Sequence, residues 1–134
     1  MRNQIVNKLL CITLIICVIM SLSAPAFASG EQLRYVAVNH VSTYMSISNF
    51  GLATCEASVT LRNASYYSNN TMTLDYYSNG NWHVWKTWTS NYDLSKHVQL
   101  VHGYYYRVSC TADVYTTSGT YVESASCSST EQYY

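Results

Sequence analysis

The sequence predicts an all-β domain, an antiparallel β-sandwich of about seven short strands, carried behind a cleavable leader. Three observations support this. Apolar residues recur with period two in several segments, Asn-Gly and Ser-Gly pairs separate those segments, and no stretch beyond the leader keeps a 3.6-residue apolar stripe. The composition agrees, since 14 tyrosines among many Val, Thr and Ser residues suit a pleated, half-buried surface. The single proline, Pro25, leaves everything after it free to donate to a ladder.

The leader comes first in the chain. Arg2 and Lys8 form a positive region, Leu9 to Leu22 is almost wholly apolar, and Ala26-Phe27-Ala28 places small residues where a signal peptidase reads them. The apolar run is shorter than the ~20 residues that span a bilayer as a helix. Residues 1–28 are therefore expected to be a signal peptide cleaved after Ala28, making the protein secreted and extracellular, with membrane contact only through that peptide. A lipidated Cys17 is disfavoured by the bulky Ile16 before it.

Removing 28 of the 134 residues leaves 106, enough for one domain. It also removes two bases and two cysteines, so five bases face seven acids and the net charge is about −2. With no basic cluster, binding of nucleic acid or anionic lipid by charge is not expected.

Within the expected sandwich, residues 41–128, each strand has its own pattern. Val41, Thr43, Met45 and Ile47 alternate with Ser42, Tyr44 and Ser46 before an Asn49-Phe50-Gly51 turn. Cys55, Ala57, Val59 and Leu61 share the inward face of the next strand, opposite Glu56, Ser58 and Thr60. Asn79-Gly80 tolerates the positive φ angles of a type I′ turn and joins strands 71–77 and 82–88. A two-residue loop there sets Tyr77 against Trp82, Tyr76 against His83, Leu74 against Trp85, Thr73 against Lys86 and Thr71 against Trp88. Residues 97–101 form a further strand. Tyr106, Val108, Cys110, Ala112 and Val114 then point inward along strand 104–114, and Ser118-Gly119 turns it into a last strand, 121–128. Residues 29–40 are expected to be a flexible N-terminal segment and 129–134 a loose tail.

The string from Val41 to Glu123 also carries a resemblance. Ala53-Thr54-Cys55, Asn79-Gly80 followed by Trp82 and Lys86-Thr87-Trp88, Gly103, Tyr106-Arg107-Val108 and Ser118-Gly119 resemble a group of small secreted Gram-positive, clostridial-type proteins of unknown function. The resemblance covers most of the mature chain and implies an immunoglobulin-like sandwich, with no activity and no functional residues to carry over. Cys110 and Cys127 depart from it.

Export places the cysteines where disulfides persist. Cys55 and Cys110 suit a bridge between sheets. Cys110 and Cys127 suit a bridge across one hairpin if Ser118 and Gly119 are a two-residue loop, which sets them opposite each other at a non-hydrogen-bonded pair. A three-residue loop with a Gly bulge shifts the register by one and turns Cys127 away. Both pairings stay open.

Chemistry is sparse. No Cys-x-x-Cys or His-x-x-x-His spacing supplies metal ligands, and His40, His83, His97 and His102 neighbour no nucleophile motif. Asp75, Asp93 and Asp113 are the acids from which a glycosidase pair could be drawn. No catalytic residue, metal or cofactor is expected. The feature that points to function is aromatic: Tyr77, Trp82 and Trp88 would line the outer face of the hairpin, beside Tyr105 or Tyr115 on other strands, as a platform for a cell-wall glycan or another surface protein. The competing reading places Trp82 and Trp88 in the core. The expected function is thus a secreted, non-enzymatic binding or cell-surface interaction protein. A bacteriocin-like or toxin-like small β-protein is the alternative, which neighbouring immunity and export genes would distinguish.

Overall fold

The computed structural model describes residues 35–134, so the leader and its cleavage site lie outside the described residues. Eight strands follow in order: β1 (Val38–Ile47), β2 (Leu52–Leu61), β3 (Tyr66–Ser78), β4 (Asn81–Ser90), β5 (Leu94–Gln99), β6 (Tyr105–Thr116), β7 (Tyr121–Ser128) and β8 (Gln132–Tyr133). They form two antiparallel sheets in a sandwich-like arrangement, β1-β2-β5 and β4-β3-β6-β7, with β8 pairing β6 beyond the end of β7.

Alternation decides what each strand buries. On β6, Tyr106, Val108, Cys110, Ala112 and Val114 are all buried, and on β2 Ala53, Cys55 and Ala57 are. Tyr106, Val108 and Cys110 and the three β2 residues join Met45, Met72, Leu74, Leu94 and Leu100 in one core cluster, while Val114 packs with Ala37, Val38 and Ala125 in a second. Each large aliphatic side chain buried there stabilises the fold by roughly 1.5–3 kcal/mol. Tyr106 keeps its polar end satisfied by donating its hydroxyl to the Val101 carbonyl at 2.7 Å. β5 starts at Leu94, three residues before the expected strand, because Leu94 pairs with Ala57 and enters the core.

The β3–β4 and β6–β7 hairpin registers are both interrupted. Asn79 (φ 52°) and Gly80 (φ 79°) form the left-handed pair of a type I′ turn. The first pairs are the expected Tyr77 with Trp82 and Tyr76 with His83, but the register shifts between Leu74 and Asp75, leaving Trp85 as the extra residue of a β-bulge. Beyond it Leu74 meets Lys86, Thr73 meets Thr87, Thr71 meets Thr89, and Trp88 lies opposite buried Met72. One inserted residue turns every later side chain of β4 to the other face.

The β6–β7 turn is the three-residue kind, with the Thr116 N–H bonded to the Thr120 carbonyl at 2.8 Å and Gly119 at φ 89°. By itself it would displace Cys127. A second irregularity, at Val122, cancels the shift: Tyr115 pairs Tyr121, yet Val114 pairs Glu123 and Cys110 pairs Cys127.

Both chain ends of the described region are held more firmly than their composition suggests. Within the segment expected to be flexible, Ala37 and Val38 are buried, and the Glu123 carboxylate accepts the N–H groups of Val36, Ala37 and Val38 at 2.8, 2.7 and 2.8 Å. The segment expected as a loose tail forms β8. There Gln132 Nε2 donates to the Met45 carbonyl at 2.6 Å, linking the two sheets. The Tyr134 ring lies against Gly51, where any Cβ would collide with it and φ is +76°. A tail of Gln and Tyr has no apolar periodicity to reveal such docking.

Partial burial on its own raises the Glu123 pKa, but the N–H groups of Val36, Val38 and Ala37, with the charge of Arg62, outweigh it and leave the carboxyl below its ordinary value. Its contribution is therefore complete above the unfolded carboxyl value of ~4.3 and is lost as pH falls through the lowered folded value. Glu123→Gln should cost about 2 kcal/mol at pH 7, the scale of charge-assisted hydrogen bonds. In urea titrations that gap should narrow steadily as the pH is taken down to 3, and a gap equally wide at both pH values would rule out the carboxylate charge as the cause.

Candidate binding face

Period-two alternation sends the odd-numbered residues of β3 and β6 to the outer face of the larger sheet. Their unbroken register joins Tyr77 to Tyr105, the type I′ hairpin joins Tyr77 to Trp82, and β8 joins Tyr105 to Tyr133. Trp82, Tyr77, Tyr105 and Tyr133 thus form one lateral row across four adjacent strands, spanning about 14 Å at the ~4.8 Å strand spacing. Tyr77 and Trp82 have ring centroids 5.2 Å apart, and Tyr105 and Tyr133 5.1 Å. The three tyrosines are 41%, 50% and 57% exposed, so their rings are available to a partner.

One ion pair braces this row. The Arg107 guanidinium lies 4.2 Å from the Trp82 ring centroid, within cation–π range. Its Nε donates to Asp75 Oδ2 at 3.3 Å, and Ser109 Oγ donates to the same oxygen at 3.2 Å. Asp75 is nearly buried and its Oδ1 has no hydrogen-bond partner among the described residues. The carboxylate holds the guanidinium in place while its other contact leaves the Trp82 ring supported rather than free to turn.

A second aromatic row crosses the far end of the face, where Tyr67 stacks on Tyr115 at 5.5 Å and Tyr115 meets Tyr121 edge-on at 5.7 Å. Ten residues of β3 separate Tyr67 from Tyr77, about 33 Å of strand. Between the rows half of the outward positions of β3 and β6 carry hydroxyls, Thr71, Thr73, Ser109 and Thr111, and the others are Asn69, Asp75, Arg107 and Asp113.

The three residues singled out as a platform are thus divided. Tyr77 and Trp82 stand together on the outer face, whereas Trp88, turned over by the bulge, packs against the core. Tyr105 joins the row and Tyr115 belongs to the second one. Tyr133 was hidden from sequence reasoning because its two-residue strand carries no period. The doubled Tyr133-Tyr134 was the one signal available.

The other candidate groups do not converge. Asp75 and Asp113 lie six positions apart along the β3–β6 ladder, about 20 Å, well beyond the ~5–9.5 Å of a glycosidase carboxyl pair. Asp93 instead accepts the Val59 N–H at 3.2 Å. His97 Nδ1 sits 3.1 Å from Thr54 Oγ1 and His83 Nε2 3.1 Å from the Ser78 carbonyl. No group of three or more His, Cys, Asp or Glu residues among the described residues is placed to hold a metal ion.

Cys55, Cys110 and Cys127 carry free thiols in the structure. Burial pushes the Cys55 thiol up to about 11. Cys110 is raised first by burial and then by the neighbouring Cys127. The bond from the Ser129 N–H to the Val108 carbonyl, 2.8 Å, sets the phase of the ladder, and Cys110 and Cys127 consequently fall at a hydrogen-bonded pair, not the expected non-hydrogen-bonded one.

The division of the tryptophans has a measurable consequence. Trp88→Ala should destabilise by about 2–3 kcal/mol, toward the lower end for a large core residue because the ring is only partly buried. Trp82→Ala should cost under about 1 kcal/mol, and chemical denaturation of the two variants reads the contrast. Comparison with protein-family models, with curated proteins and with solved structures finds no match for this chain.

Proposed function

We propose that this protein is an exported, non-enzymatic binding module that holds a cell-wall glycan on the outer face of its larger sheet. The observation that carries the proposal is the row of Trp82, Tyr77, Tyr105 and Tyr133, one ring per strand and in register, with its three tyrosines open to solvent. Sugar rings present C–H faces that stack on aromatic planes, and their hydroxyls find partners in the Ser and Thr side chains and the Arg107 guanidinium beside the row. The near-neutral face suits an uncharged polymer better than a charged one. Export rests on the leader, with cleavage after Ala28.

The finer fold reading is an immunoglobulin-like sandwich, in keeping with the resemblance to small secreted Gram-positive proteins. Two features favour it. The strand order groups the first, second and fifth strands against the fourth, third, sixth and seventh, and the Tyr106 hydroxyl bonds back to Val101 at the corner leading into β6, as in the tyrosine corner of such domains. Of the two disulfide pairings, Cys110 with Cys127 is favoured because the two stand directly opposite.

The glycan reading is tested by sedimentation of the purified protein with insoluble cell-wall polysaccharide. Loss of a central interface ring costs ~1–2 kcal/mol, so the double variant Tyr77→Ala/Tyr105→Ala should lose at least about tenfold in retention while its melting stays near wild type. Undiminished retention would remove the row from the site. Retention only on proteinaceous wall fractions would make the partner a surface protein. For the cysteines, mild oxidation followed by non-reducing peptide mapping should yield a Cys110–Cys127 cross-link and an alkylatable Cys55; a Cys55–Cys110 cross-link would reverse that assignment.

A further inference from the structure

Behind the outer row, on the inward side of the same sheet, four aromatic rings close a circuit. Tyr76 meets Trp85 at 6.5 Å and 75°, Trp85 meets Tyr106 at 5.7 Å and 31°, Tyr106 meets Tyr104 at 6.3 Å and 73°, and Tyr104 returns to Tyr76 at 5.5 Å and 82°. These rings, with Val101, line an open cup of about 270 Å³. Three of the four contacts are nearly perpendicular, so the rings form walls rather than a stack.

Each wall is fixed by something already described. Tyr76 and Tyr106 are direct partners in the β3–β6 ladder. Trp85 is the extra residue of the β4 bulge, which carries its ring over Tyr106. Tyr106 cannot rotate without breaking its bond to the Val101 carbonyl. His83 stacks on the outside of Tyr76 at 5.3 Å, backing that ring from behind.

We propose that this cup binds a quaternary ammonium or methylated ammonium head group through cation–π attraction to Tyr76, Trp85 and Tyr104, over a floor made by the buried Tyr106. A head group entering the open side of the cup meets the half-buried rings of Tyr76, Trp85 and Tyr104, with the almost fully buried Tyr106 as the floor beneath them, and cation–π attraction reaches to about 6 Å from a ring centroid. None of the lining residues is charged. Attraction therefore comes from the ring quadrupoles, which favour a bulky, weakly hydrated cation over a strongly hydrated ammonium or metal ion. The one buried hydroxyl, that of Tyr106, is already committed to Val101, which leaves little to satisfy the many hydroxyls of a sugar. The cup is thus complementary to the glycan row and lies on the opposite face of the sheet.

The test is a chemical-shift titration of the purified secreted protein, following the amides of residues 76, 104 and 106. Choline is the probe, with its neutral isostere 3,3-dimethyl-1-butanol and N-acetylglucosamine as comparisons. Choline should give saturable shifts confined to the cup, with the isostere at least about tenfold weaker, the equivalent of losing one to two kcal/mol of cation–π attraction. Tyr104→Leu and Trp85→Leu should each weaken choline binding about tenfold, Trp85→Phe should weaken it less while preserving the melting temperature, and Trp82→Ala should leave it unchanged. Equal binding of choline and the isostere, a preference for the sugar, no saturable shift with choline, or binding that survives both leucine variants would each overturn the proposal. Because Trp82→Ala weakens only the outer row, failure of the glycan reading and failure of this one are distinguishable.

Discussion

The unbroken ladder between β3 and β6 sets the register to which every other strand of the larger sheet is fitted. Twelve consecutive pairs, from Tyr66 with Thr116 to Tyr77 with Tyr105, run without a bulge. Because side chains alternate strictly along it, the ladder assigns Met72, Leu74, Tyr106, Val108 and Cys110 to the core and Tyr77, Asp75, Arg107 and Tyr105 to the outer face in one step. A slip of one residue would exchange the two sets and expose the core, which is why the register is so strongly specified.

The irregular strands are arranged around that rigid pair. β4 lies at an edge, where a bulge costs little pairing. Its extra residue brings Trp85 and Trp88 both to the inner side, closing a gap that strict alternation would have left with only one tryptophan. β7 has the opposite problem: its three-residue turn is out of phase by one, and the irregularity at Val122 restores the phase so that Ala125 is buried. Glu123 follows directly, and from there its carboxylate reaches the backbone of Val36 to Val38. A turn geometry is thus coupled through a bulge to the anchoring of the first strand.

Contacts between the sheets complete the arrangement at both ends. Glu123 secures the start of β1, and Gln132 with Tyr134 secures its far end and the Gly51 turn. These are polar or aromatic contacts made by residues at the margins of the sequence pattern, and they also put Tyr133 into the outer row. Structure and candidate site therefore share their supports.

The order of residues alone specifies the strand character of the domain, the inward faces of β2 and β6, the Asn79-Gly80 turn and the opposition of Tyr77 to Trp82. All of these follow from local φ preferences or from period two within one strand. Packing between strands and sheets settles that Trp88 turns inward, that Cys127 still meets Cys110 despite a three-residue turn, that β5 begins at Leu94, and that the last residues form a strand carrying Tyr133. The reason is common to all four. A bulge or a docked segment is chosen by the partner strand and by the volume to be filled between the sheets, and neither leaves a trace in the spacing of residues along the chain.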